Sequence, residues 1–285
     1  MRVRALSSIW KTTFSARRHD LVMGCAAGYK PDIVKPFVES LFSLGEFIGT
    51  AVMFANPSDD DLITYLEKHG VRVVTFKPSE YSVPNPHMAR YFAYAAYLRS
   101  KLNDRKHFRY VLLSDVRDVT FQKPLFSTLG NALEVHYETP LTRIGEEQWN
   151  SDWIRREFGE QVLKSLEGRR VSCSGTVNGR PEEILNYLEK MQSAIMGLPA
   201  HIKNGERGDQ AVHNYILHSG LLPEASPIEN FVRVATLHFV DRESVCADSD
   251  ARVINPDGSI SEIAHQWDRH PSLMKAINTK YGVNS

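Results

Sequence analysis

Two aspartates three residues apart, Asp115 and Asp118, follow the apolar run from Tyr110 to Ser114. A buried strand that runs straight into paired carboxylates delivers oxygen ligands to the edge of a sheet. Hard divalent cations such as Mg²⁺ and Mn²⁺ take such ligands and keep positions open for substrate phosphates. Asp115 and Asp118 are therefore candidate metal ligands. A simpler role also fits, because Asp is common in turns and Asp118 has Arg117 beside it as a partner. Residues three apart in an extended strand face opposite ways, so both carboxylates reach one ion only if the chain turns at Val116-Arg117.

The elements that would position this pair follow from the alternation of short apolar runs with longer periodic segments, the pattern of a strand–helix–strand sheet. The pattern predicts strands over 21–26, 51–55, 71–76 and 111–113. It predicts helices from Pro31 to about Leu44 and from about Met88 to Leu102. Ser58 with Asp61 suggests a capping box for a further helix that Gly70 ends. The segment 131–170, with Trp149 and Trp153, reads as irregular and helical, Pro181 opens a helix to about Met196, and a last strand is expected over 232–239. Strand ends in an open sheet of this kind lie beside the ligand crevice.

Composition narrows the classes of function. The chain has 285 residues, 42% of them hydrophobic and 24% charged, enough for one large domain. The 34 basic and 34 acidic residues cancel, which argues against a nucleic-acid partner. Cys25, Cys173 and Cys246 are widely separated and form no Cys-x-x-Cys pair, as expected of a reducing compartment. No apolar run is long enough to span a bilayer, so a cytosolic location is expected. Residues 1–20 are basic, with Leu6, Ile9, Trp10 and Phe14 interleaved. They read either as a poorly ordered extension or, over 1–19, as a weak anchor to the inner face of an anionic membrane. No Gly-x-Ser-x-Gly elbow surrounds Ser172, Cys173 and Ser174, and no Walker-type phosphate loop is present.

The segment Met88-Ala-Arg90-Tyr91, followed by the strand ending in Asp115 and Asp118, resembles the core of nucleotide-sugar-dependent glycosyltransferases of the GT-A fold. The nearest likeness is to the retaining galactosyltransferase and glycogenin-like group. Cys25-Ala26-Ala27-Gly28-Tyr29, Cys173-Ser174-Gly175 and Gly208-Asp209-Gln210 with Asn214 agree with that group in order and approximate spacing. The resemblance implies an α/β fold with a mixed, mostly parallel sheet flanked by helices and an irregular C-terminal part. It implies a GT-A-like domain over 21–250 and a tail, 251–285, that completes the site.

What the resemblance implies for chemistry is transfer of a sugar from a nucleotide sugar to a saccharide or other hydroxyl acceptor, aided by Mn²⁺ or Mg²⁺. A late histidine would complete the metal shell, His265 first and His238 second. Asp209 and Gln210 would stand at the transferred sugar, Asp209 as the base if the reaction inverts. Ala26, Ala27, Tyr29, Arg90, Ser114 and Arg269 would line the nucleotide side. Arg90 has two roles open, on the diphosphate or orienting Asp115, and Arg269 either contacts the diphosphate or pairs with Asp268. Cys173, Ser174 and Gly175 would wall the substrate pocket, and the acceptor would enter from there and from 131–170. Two alternatives remain: a metal-dependent nucleotidyltransferase, or a binding protein for nucleotide sugar or carbohydrate without turnover.

Overall fold

The computed structural model describes residues 19–104, 108–128, 130, 132–203 and 208–283; the basic segment 1–18 and Gly205 lie outside them. Four apolar strands run parallel: Asp20–Cys25 (β1), Thr50–Ala55 (β2), Arg72–Thr75 (β3) and Tyr110–Ser114 (β4). Helices Pro31–Phe42 (α1), Asp60–Lys68 (α2) and Pro86–Asn103 (α3) connect them. Side chains of a strand alternate between faces. Leu21 and Met23 of β1 accordingly join Ala95 and Leu98 of α3 in one core, while Val22 joins Phe37 and Leu41 of α1 in another. Burial on both faces accounts for the continuous apolar runs that make β1, β2 and β4 legible.

The order β3-β2-β1-β4 means that the chain steps away from β1 twice and then returns to its other side. The crevice beyond the carboxyl ends of β1 and β4 is thus the topological switch point, where open sheets of this kind bind ligands. Gly24, opposite Ser114, permits the chain to fold back there: a Cβ on Gly24 would collide with Val116 and lie 2.9 Å from the Met53 sulfur.

Three further strands extend the sheet to seven. Ser172–Gly179 (β7) is antiparallel to β4, Leu133–Tyr137 (β6) lies on the far side of β7, and Ala225–Ile228 (β8) pairs parallel to β6 at the edge. The sheet is mixed and mostly parallel, with β7 its one reversed strand, and helices flank it. This corrects one expectation, because the segment 131–170 contains β6 as well as helices Gln148–Phe158 (α4) and Glu160–Leu166 (α5); Cys173-Ser174-Gly175 lies within strand β7. The sequence of β7, Ser-Cys-Ser-Gly-Thr-Val-Asn-Gly, has little intrinsic strand preference. Pairing on both sides imposes the conformation, and its buried Asn178 is matched, bonding Glu134 at 2.7 Å and His136 at 2.9 Å.

The second half supplies Pro181–Gly197 (α6), Ala200–Lys203 (α7), Asp209–His218 (α8) and Pro271–Tyr281 (α9). A smaller sheet places Ile263–His265 (β12) between Val119–Phe121 (β5), antiparallel, and Val234–Thr236 (β9), parallel. Cys246–Ala247 (β10) and Val253–Ile254 (β11) form a short separate hairpin. The strand expected over 232–239 shrinks to β9, which leaves His238 exposed beyond its end. The expected Ser58 capping box gives way to a different tie, because α2 starts at Asp60. Its N-cap residue, Asp59, turns its carboxylate to the backbone N–H of Asn56 at 3.0 Å and of Gly28 at 2.8 Å. Among the described residues, no helix is long and apolar enough to cross a membrane.

Candidate metal centre

The chain leaves the large sheet for the small one between Asp115 and Asp118. Asp115 still belongs to the large sheet, its N–H donating to the Gly175 carbonyl at 2.7 Å, whereas the Asp118 carbonyl accepts from Gln266 N–H at 2.8 Å beside β12. The intervening bend turns two carboxylates three residues apart toward one point. Register in the small sheet sets His265 opposite Val119, so its imidazole meets both acids. His265 Nε2 lies 3.6 Å from Asp115 Oδ2 and 3.6 Å from Asp118 Oδ1. One ligand atom from each of Asp115, Asp118 and His265 can be chosen so that all lie within 4.8 Å of one another. Two carboxylates and an imidazole could hold a metal ion, and three protein ligands leave positions open on it. His238, the second histidine considered, is outside this group.

The electrostatics point the same way. Burial opposes ionisation of Asp115, but the Arg90 guanidinium and His265 outweigh it and hold this carboxyl well below the usual carboxylate range. Burial pushes Asp118 up, and the negative charges of Asp115 and Asp268 add to that, against His265 and Arg117. Burial also works against a charged His265, yet Cys173 and the two acids raise its pKa well above the ordinary value. Two carboxylates packed around an imidazole call for a cation, either a proton on His265 or a metal that displaces it. On its other side the ring faces Cys173, Nδ1 to Sγ at 3.6 Å. Burial lifts this thiol to about 11, and it bonds onward to Glu138.

Gly175 is part of the same construction. A Cβ there would lie 2.6 Å from Asp115 Oδ2 and collide with the His265 ring. Only a residue without a side chain lets β7 pass this close to the ligand atoms.

Arg90, from α3, is buried and bridges two acids: one Nη meets Asp115 Oδ1 and the other meets Asp209 Oδ2 at 2.7 Å. Arg90 is thus in contact with Asp115, one of the two partners considered for it. Asp209 Oδ2 also accepts from Tyr91 at 3.0 Å and Ser174 at 3.3 Å. Asp209 opens α8 after Gly208, with its side chain committed to this bridge rather than to the helix cap. Beside it, Gln210 Nε2 donates to Glu138 Oε1 and to Asn150 Oδ1, each at 3.0 Å. Burial pushes Glu138 up to about 7 and Glu157, which lies against Gly208, up to about 8.

A cavity of about 430 Å³ gathers most of these side chains, with Ala27 and Tyr29 at the end of β1, Arg90, the metal triad, Ser174, Asp209, Gln210 and Arg269 on its wall. That volume falls within the usual range of small-molecule sites. Four predicted residues, Gly175 among them, stand behind the wall. Ala26 is fully buried, its N–H extending the pairing of β1 with Phe54; Ser114 is buried and bonds the Asp115 carbonyl; and Cys173 backs His265. Arg269 pairs with Asp268 at 2.8 Å, and Arg117 reaches the same carboxylate at 3.1 Å. Glu138, Asn150, Glu157 and Arg117 join the site without having been expected there. Arg117 was legible as a cation between two ligands, whereas the others lie in segments whose chemistry only packing reveals.

No protein-family model matches the chain, and no curated protein matches it.

Proposed function

We propose that the protein is a metal-dependent glycosyltransferase of GT-A type that takes a nucleotide-diphosphate sugar as donor. The observation that carries this reading is the convergence of Asp115, Asp118 and His265 on one point at the switch point of the sheet, inside a cavity also lined by Tyr29, Asp209, Gln210 and Arg269. A divalent cation held there would stabilise the charge that develops on a departing diphosphate.

The chain's own residues divide the remaining tasks. The cations along the cavity wall are already matched by carboxylates: Arg90 by Asp115 and Asp209, and Arg117 and Arg269 by Asp268. Added positive charge is needed before a diphosphate is attracted, so donor binding requires the metal. Arg117 and Arg269 stand at the mouth, where either can exchange Asp268 for a phosphate in a planar fork. Asp209, which accepts three hydrogen bonds on one oxygen, acts as the holder of Arg90 and is poorly suited to serve as a base. With both amide hydrogens of Gln210 taken by Glu138 and Asn150, its carbonyl oxygen is the group it offers to the transferred sugar.

A thermal-shift panel of nucleotide sugars with and without Mn²⁺ tests the proposal, because a ligand of the native state, at free concentration L, raises stability by RT ln(1 + L/Kd). A shift that needs both Mn²⁺ and one nucleotide sugar is expected. Absence of any Mn²⁺-dependent shift across the panel rejects it.

A further inference from the structure

We infer that Trp149 and Trp153 form an acceptor subsite for a pyranose saccharide, continuous with the cavity; this rests on the transferase reading above. The two residues lie one turn apart on α4, with ring centroids 6.2 Å apart and planes inclined by 41°. Trp153 lines the cavity together with Gly208, Asp209 and Gln210, and Trp149 stands outside it, 61% exposed. The pair thus leads from solvent to the side chain that faces the transferred sugar.

The helix that carries them is fixed to that side chain. Glu147 caps α4 by accepting from the N–H of Trp149 at 3.0 Å and of Asn150 at 2.7 Å, and Asn150 accepts from Gln210 at 3.0 Å. A ligand stacked on the indoles is consequently held in register with Gln210. Such preorganisation is what a positioned nucleophile needs.

The surroundings select the class of ligand. The arginines of α4 are already engaged, Arg155 with Asp152 and Glu160, Arg156 with Glu157. A neutral ligand fits these surroundings better than an anion. The π face of an indole is negative and meets the positive C–H face of a pyranose, whose hydroxyls stay at the wet rim. A nucleobase belongs with Tyr29, which lines the same cavity where it follows β1 at the carboxyl edge of the sheet. One ring inside and one outside match a saccharide of at least two units, its terminal unit over Trp153 and the next over Trp149.

Saturation-transfer NMR on the metal-free full chain tests this with methyl glucoside, galactoside and mannoside, and with lactose, cellobiose and maltose. Saturable transfer to the C–H protons of one face of a disaccharide is expected. Its affinity should fall about tenfold for each indole removed in Trp149→Ala and Trp153→Ala, and partly recover in the Phe variants. No transfer from any of the six saccharides, or transfer unchanged in the double Ala variant, overturns the inference. Saccharide binding in a protein that shows no Mn²⁺-dependent nucleotide-sugar shift keeps the subsite and rejects the transferase reading instead.

Discussion

The sulfur of Cys173 stands 3.6 Å from Nδ1 of His265, while the other ring nitrogen faces Asp115 and Asp118 at 3.6 Å each. In the tautomer that carries its proton on Nδ1, toward sulfur, the ring keeps its Nε2 lone pair for a metal, the arrangement by which a partner outside the ligand shell fixes a tautomer. Cys173→Ala should weaken Mn²⁺ binding by about 10-fold or more, the usual cost of losing such a partner. Cys173→Ser, which keeps an acceptor, should restore most of it. Free Mn²⁺ followed by electron paramagnetic resonance measures both, and equal affinities in the two variants would show that the sulfur only fills space.

Gly175→Ala should abolish metal binding with modest effect on folding, because the added methyl intrudes between the Asp115 carboxylate and the His265 ring. Mn²⁺ titration paired with circular-dichroism melting separates the two effects. Retained affinity would mean that the two side chains are free to move apart.

Removing Arg90 leaves two carboxylates facing each other without their bridge. Arg90→Ala should cost about 3–5 kcal/mol in urea unfolding, the scale of an uncompensated buried charge. Arg90→Lys should recover only part, since a single ammonium cannot fork between Asp115 and Asp209. Adding Asp209→Asn to Arg90→Ala should relieve part of the loss. A double variant no more stable than Arg90→Ala alone would exclude charge as the cause.

Glu138 gives stability a pH dependence of definite sign. Burial lifts its carboxyl from the ordinary 4.5 to about 7, so between those values the native state holds a proton that the unfolded chain has released. Its contribution is therefore complete below 4.5 and is lost as pH rises to about 7, a change of about 3 kcal/mol. Glu138→Gln removes this loss while keeping an acceptor for Gln210. Its unfolding free energy should exceed that of the wild type at pH 8 and approach it at pH 4.5; parallel pH profiles would refute the assignment.

The sequence by itself determined the strands buried on both faces, β1, β2 and β4, and the helices between them, because a continuous apolar run or a helical period is a local signal. It also marked Asp115 and Asp118, and with them the condition that the chain must bend at 116–117 if they are to share an ion. Only the tertiary structure decided that the bend occurs where the chain passes from one sheet to the other. It decided as well that His265, 147 residues beyond Asp118, arrives there by pairing β12 with β5 rather than His238 by way of β9. Strand β7 stayed hidden because its small polar residues take strand form from neighbours on both sides, and β6 because the sequence around it carries no strong period. Glu138, Asn150 and the link from Arg90 to Asp209 were equally hidden, since a hydrogen bond between segments 60 to 119 residues apart leaves no mark on either. Spacing along the chain fixes which side chains are available, and packing fixes which of them meet.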